Sequence, residues 1–230
     1  MNFYCQLRER PEEQVRLFEL TKWSRHEHEL SMICVLPDQP LEDARRLYFH
    51  LWSSIRPFSG NASWRRQKFI SRKANGTGPM NSAAQTFMRT KHLLDYAERL
   101  CGVQFETVDA IEVIADYDHP EAVFYVDPPY VLSSRANSSP TKYSNEYEDW
   151  QHEELLCKLN HVESMVILSG YYSEIYSQHL SNGWHCIEFA ARMDGGGSAV
   201  EVLWLNDAVF SRLEAEAAAQ KQLSLFEVTA

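Results

Sequence analysis

Asp127 and Tyr130 stand three residues apart across Pro128 and Pro129. The pattern is a hydrogen-bond acceptor and an aromatic ring joined by two residues with fixed φ and no N–H. Before them runs Ala122-Val123-Phe124-Tyr125-Val126, an apolar run of strand length that a breaker ends. The prolines cannot continue a ladder, so the spacing predicts a buried strand that stops at Asp127. Ligands bind at the carboxyl ends of strands in open α/β sheets. Asp127 and Tyr130 are therefore expected on a stiff loop at a binding edge. A plain Pro-Pro turn is the alternative, but average usage yields Asp-Pro-Pro-Tyr in on the order of one chain of this length in a thousand.

The strand and its loop need a domain around them, and 230 residues suffice for one good core. With 44% hydrophobic and 23% charged residues the composition is that of a globular protein. No apolar stretch reaches the length of a membrane span, and the first residues lack a signal-peptide pattern, so the expectation is cytoplasmic with no membrane partner. The five cysteines, at positions 5, 34, 101, 157 and 186, are widely spaced and form no C-x-x-C pair. That spacing fits reduced thiols and argues against a zinc site or a disulfide frame. Among the nine histidines, His26 and His28 are the only close pair and no cysteine joins them, so no metal is expected. The net charge of −10 is unevenly spread. From Ala44 to Leu94 there is no acid, while Arg45, Arg46, Arg56, Arg65, Arg66, Lys68, Arg72, Lys73, Arg89 and Lys91 give ten bases. The rest of the chain carries twelve bases against 32 acids. Local sign matters more than the total for a polyanionic partner.

The remaining patterns supply the frame. Helices are expected over 2–20 with a fresh start at Pro11, over 24–36, 40–55 and 82–100, with Gly102 as a stop signal. The segment 56–81 is rich in Gly, Ser and Asn, with Phe58, Trp64 and Phe69 set among its bases. Basic residues interleaved with aromatics suit phosphate contact and base packing. A short strand over 103–108 ending at Asp109, a helix over 110–115, the central strand 122–126 and a Ser-rich lid candidate over 133–145 follow. Then come a helix over 149–160, a buried strand 165–168, a helix over 173–180 and a hairpin of 184–189 with 199–206. A helix over 213–222 precedes the tail. Strand and helix alternating before a hairpin predict a Rossmann-like α/β sheet, mostly parallel with an antiparallel edge.

Asp127-Pro128-Pro129-Tyr130, the upstream segment ending at Asp109, Val166-Ile167-Leu168-Ser169-Gly170-Tyr171 and Glu201-Val202-Leu203-Trp204-Leu205-Asn206 together resemble adenine-specific DNA methyltransferases. The class is the Dam-like one that methylates the exocyclic N6 amine and places its recognition lobe before Asp-Pro-Pro-Tyr, and phage and prophage members are the most similar. The resemblance implies S-adenosylmethionine as methyl donor, double-stranded DNA as substrate and a bacterial or phage-infected cell. It also implies a partial catalytic domain over 1–23 and 83–210, a mostly helical basic recognition lobe over 24–82 and a helical tail over 211–230. An exocyclic purine amine is a poor nucleophile because its lone pair is delocalised into the ring. In the roles the resemblance implies, Asp127 and the Pro128 carbonyl accept its two N–H groups. Pro129 stiffens the loop, and Tyr130 stacks on the base after it has left the duplex. Asp109 would hold the adenine of S-adenosylmethionine, and Asp127 would lie against the same cofactor. Arg65, Arg66, Lys68, Arg72 and Lys73 are the candidates for DNA contact.

The family pattern also opens with a lysine-bearing stretch, a first strand with a Phe-x-Gly-type cofactor loop, and a second strand whose terminal acid holds the ribose. This sequence matches none of these. The expectation is thus a sheet lacking its first two strands, in the C-terminal part of an enzyme split from a separately encoded N-terminal fragment or truncated. A non-catalytic DNA-binding remnant is the alternative. In the tail, Gln222-Leu223-Ser224-Leu225-Phe226 resembles the short peptide by which bacterial proteins dock, extended, on the replication sliding clamp. Gln222, Leu223, Leu225 and Phe226 would be its contacts. A helix end packing on the domain is the other reading.

Overall fold

Pro11 and Pro40 each begin a helix, as residues without an N–H can at the first helical position. The computed structural model describes residues 1–33, 38–55, 57, 62–66, 83–132, 147–192 and 198–227. The chain forms two compact units, Met1–Phe105 and Glu106–Ala230. Residues 1–23 and 83–105 thus cluster with the residues between them in the first unit.

The first unit is helical: α1 (Asn2–Glu9), α2 (Pro11–Leu20), α3 (Arg25–Ser31), α4 (Pro40–Ser53), α5 (Ala83–Phe87) and α6 (His92–Arg99). Ser24 caps α3 by accepting from the Glu27 N–H at 3.1 Å. The single helix expected over 82–100 is two helices, because Arg89 and Thr90 stand outside both α5 and α6. Gly102 lies just beyond α6 at φ +79°, the left-handed conformation that favours glycine at a helix end. Phe18, Tyr48, Phe49 and Phe87 form an aromatic core with Leu7, Val15, Leu93 and Ala97. The Phe18 and Tyr48 rings stack at 4.3 Å. A short antiparallel pair, β1 (Ser54–Ile55) and β2 (Ser63–Trp64), follows α4 and was not expected from the sequence.

The second unit contains α7 (Ala110–Tyr117), β3 (Val123–Val126), α8 (Asp149–Leu159), β4 (Met165–Gly170), α9 (Glu174–His179), β5 (Trp184–Arg192), β6 (Ser198–Asn206) and α10 (Asp207–Glu227). Its sheet runs β3-β4-β6-β5. Strands β3 and β4 are parallel with Val126 opposite Leu168, whereas β4/β6 and β5/β6 are antiparallel. Alternation puts Val166, Leu168, Val202 and Trp204 in one core with Leu155, Leu156 and Leu159 of α8 and Tyr176 of α9. Leu205 and Val209, also buried, lie on β6 and on the helix α10 that follows it. The Asp118 carboxylate accepts from Glu163 N and from both N and Oγ of Ser164, which ties the end of α7 to the start of β4.

Two strand expectations are corrected. Residues 103–108 form no strand: among the described residues the segment has no sheet partner, and Val103 and Val108 are 39% and 56% exposed. A strand exists only through its ladder, and apolar character alone cannot supply one. For the same reason β3 is an edge strand instead of a central buried one. Among the described residues it pairs with β4 alone, and Val123 and Tyr125 are 57% and 64% exposed.

Candidate active site

Parallel pairing brings the ends of β3 and β4 to the same edge of the sheet. Just past β3, Asp127 is exposed, Pro128 is buried, and Pro129 and Tyr130 are half-buried. Across from them β4 ends in Ser169 and Gly170 and runs on into Tyr171. The Tyr130 hydroxyl lies 3.3 Å from Ser169 Oγ. The Tyr130 and Tyr171 rings meet edge to face, with centroids 4.6 Å apart and planes at 79°. Burial holds the Tyr130 phenol above its ordinary pKa, opposed by the Ser169 hydrogen bond and reinforced by the charges of Asp127 and Glu201. Tyr130 therefore stays neutral at physiological pH, as a stacking ring should.

Behind this loop the site has an aromatic floor. Tyr176 is 1% exposed, and its ring meets Trp204 at 5.0 Å and 68°. Burial first, then the charges of Tyr130 and Asp127, push the Tyr176 phenol far up. Its hydroxyl lies 3.4 Å from Nδ1 of the fully buried His152, whose ring also meets Tyr147 at 5.5 Å. Gly170 is required here by close approach. A Cβ would stand 3.2 Å from Tyr176 Cε2 and 3.3 Å from Trp204 Cζ3. On the far side of Tyr171, Tyr172 donates to Glu188 at 2.7 Å and lies 3.0 Å from Cys186 Sγ. The Cys186 and Glu188 hydrogen bonds, in that order, raise its pKa.

Asp109 is the N-cap of α7, and one carboxylate oxygen accepts from Ile111 N at 2.8 Å. After burial, its charge is the next cause that raises the Tyr147 pKa. The rings of Tyr147, His152 and Tyr176 form a row, with centroids 5.5 and 5.8 Å apart. Sequence reasoning missed that row, as well as the contacts of Ser169 and Tyr171 with Tyr130. The available signal was Ser169-Gly170-Tyr171 directly after a buried strand, with Ser173 capping α9 three residues before Tyr176.

The predicted DNA contacts fare differently. Arg65 donates from Nε and Nη2 to the Ser54 carbonyl at 3.2 and 2.9 Å, and its own N–H bonds Ser53 O. Its guanidinium thus helps close the β1/β2 pair. Arg66 is exposed, and Lys68, Arg72 and Lys73 lie outside the described residues. Arg45 and Arg46, counted in the basic window, both bond the Glu42 carboxylate, and Arg45 also meets Glu27 at 3.0 Å. Eight of the ten bases remain once this pair is set aside. The lid candidate over 133–145 lies outside the described residues apart from its flanks. Gln222, Leu223, Leu225 and Phe226 belong to α10, so their backbone is helical and not the extended form a docking peptide takes.

The family model for D12 class N6 adenine-specific DNA methyltransferases matches residues 53–193. That span is more than half the chain and includes Asp109, Asp127–Tyr130 and Ser169–Tyr171. The protein is therefore a methyltransferase of the D12 class N6 adenine-specific DNA methyltransferase family. Among curated proteins none matches the chain significantly. The family implies DNA as the substrate. Members of the family normally use S-adenosylmethionine as methyl donor. Asp109 and Asp127 are the acceptors that the sequence resemblance assigns to it. The two described glycines with positive φ, Gly102 and Gly183, stand after α6 and before β5, and neither follows a parallel strand to form a cradle.

Proposed function

We propose that this chain carries the base-binding half of a site-specific DNA adenine-N6 methyltransferase, and that a cofactor-binding segment outside the described residues completes it. The observation that carries the reading is the exposed Asp127 carboxylate on a proline-stiffened loop, three residues before the fixed ring of Tyr130. A target adenine inside a duplex is out of reach, so it must be flipped out at a cost of a few kcal/mol. Stacking on Tyr130 contributes about 1–3 kcal/mol and offsets much of that. Asp127 and the Pro128 carbonyl accept the two amine N–H groups, localising the nitrogen lone pair and aiming it away from the ring. No metal and no covalent enzyme intermediate is needed for this part of the reaction.

The open edge of β3 supports the second half of the proposal. Its outer N–H and C=O groups have no strand partner among the described residues, and Val123 and Tyr125 present apolar surface. An unpaired edge with exposed β-branched and aromatic side chains is a template for a further strand. Arg65, Arg66, Lys68, Arg72 and Lys73 remain our candidates for phosphate contact, with Arg65 acting partly through the hairpin it closes. We retain Gln222–Phe226 as a candidate sliding-clamp peptide, which would have to leave its helical form to dock.

Calorimetry tests the reading. The chain alone is expected to bind S-adenosylmethionine only above the micromolar range, and micromolar binding would refute the divided enzyme. Transfer to adenine that appears when a cofactor-binding segment is supplied, and disappears with Asp127→Ala, separates the enzyme from a DNA-binding remnant. Both readings predict DNA binding that weakens steeply with salt.

A further inference from the structure

We propose that Ser169 and Tyr171 are positioning residues that lock the Tyr130 ring before a base arrives, Tyr171 through an edge-to-face contact and not as a second stacking ring. The proposal rests on the reading of Tyr130 as the stacking ring and deepens it. Pro128 and Pro129 restrain the backbone leading to Tyr130, but its own side-chain torsions are still free to turn. Two contacts remove that freedom. Ser169 Oγ meets the phenol oxygen at 3.3 Å, and the Tyr171 ring meets the Tyr130 ring at 4.6 Å and 79°. Both come from the end of β4, which is itself fixed on two sides. Ser169 is 4% exposed and stands opposite Leu203 of β6, while Gly170 between the two residues is backed by Tyr176 and Trp204.

The geometry also fixes what Tyr171 does. A base sandwiched between two rings needs two stacking contacts of about 3.5–4 Å each, so roughly 7–8 Å between the rings. The 4.6 Å edge-to-face contact leaves no such slot. Tyr171 is thus a buttress and not the second face of a base sandwich. A ring already fixed has less freedom to lose on stacking, which favours binding without any new contact to the base.

Ring-13C-tyrosine NMR of the full chain tests this, with 2′-deoxyadenosine as the probe and the Tyr130 signal assigned by its loss in Tyr130→Phe. In the free protein, Tyr171→Leu and Ser169→Ala are each expected to shift the Tyr130 ring signals while those of Tyr176 stay in place. Tyr171→Phe keeps the ring and should leave Tyr130 unmoved. On titration, deoxyadenosine should shift the Tyr130 signals upfield. The half-saturating concentration should rise about two- to tenfold in Ser169→Ala, as expected for one lost hydrogen bond. It should rise in Tyr171→Leu as well, and return to normal in Tyr171→Phe. Tyr130 signals or nucleoside affinity unchanged in both Ser169→Ala and Tyr171→Leu would overturn the proposal. A wild-type chain whose Tyr130 signals ignore deoxyadenosine would instead overturn the stacking reading beneath it, and the proposal with it.

Discussion

Replacing Gly170 by alanine asks whether the ring pair behind the site is as fixed as its packing implies. The added Cβ would stand 3.2 Å from Tyr176 and 3.3 Å from Trp204, a few tenths of an ångström inside ordinary contact on both sides. Neither ring can easily give way, since Tyr176 is 1% and Trp204 5% exposed, and each packs on the other. Overpacking of this kind costs about 1–3 kcal/mol. The substitution also restricts the unfolded chain, which returns about 0.4–1 kcal/mol. The net expectation is a loss of about 0.5–2 kcal/mol, or roughly 2–8 °C in melting temperature for a unit of this size. Urea unfolding and thermal melts followed by circular dichroism would read it. Because Gly170 joins Ser169 to Tyr171, the Tyr130 ring should lose order together with stability. A variant as stable as the parent, or more so, would refute the claim that the two rings hold their places against β4.

Four further outcomes follow from particular contacts. Gly102→Ala meets open space but keeps φ +79°, so it should destabilise the first unit by about 1 kcal/mol in urea, from backbone strain alone. His28 has its pKa lowered, first by burial and then by His50. Its stabilising contribution is therefore full above the ordinary value of 6.5 and is lost as pH falls through the lowered folded value; the acid limb of a stability–pH curve should flatten in His28→Gln. Tyr130, Tyr147 and Tyr176 have raised pKa values, chiefly from burial. Their contribution is full below the ordinary pKa of 10.0 and is lost as pH rises through the raised values, so absorbance titration should find these phenols ionising late and together with alkaline unfolding. Tyr125→Lys, on the exposed face of the β3 edge, should leave the melting temperature within about a degree, as for an ordinary surface change. The same variant should weaken association with the proposed cofactor-binding segment.

How much of this could be read in advance depended on whether local chemistry or pairing decided the outcome. Pro11, Pro40, Ser24 and Gly102 mark helix boundaries by their own covalent properties, and those boundaries lie close to where the sequence puts them. The strands 122–126 and 165–168 and the closing hairpin were legible from alternation and breakers. The segment 103–108 was not, because its apolar residues say nothing about whether a neighbouring strand is present. Asp127-Pro128-Pro129-Tyr130 announced itself by residue type, and the fold leaves Asp127 exposed at the sheet edge. Ser169, Tyr171, Tyr176 and His152 did not, since their relation to Tyr130 exists only once β3 and β4 are paired in register. The basic window was visible as a count, but Glu42 just outside it pairs with both Arg45 and Arg46 through helical i,i+3 and i,i+4 spacing.

Asp127 is where the account is most exposed. The chain, expressed together with the proposed cofactor-binding segment in cells whose DNA contains no methyladenine, should produce N6-methyladenine measurable by mass spectrometry of digested DNA. Asp127→Ala should abolish the product while DNA binding persists. Methyladenine formed equally well by the Asp127→Ala chain, or methylation found on cytosine instead, would contradict the assignment of that carboxylate to the adenine amine.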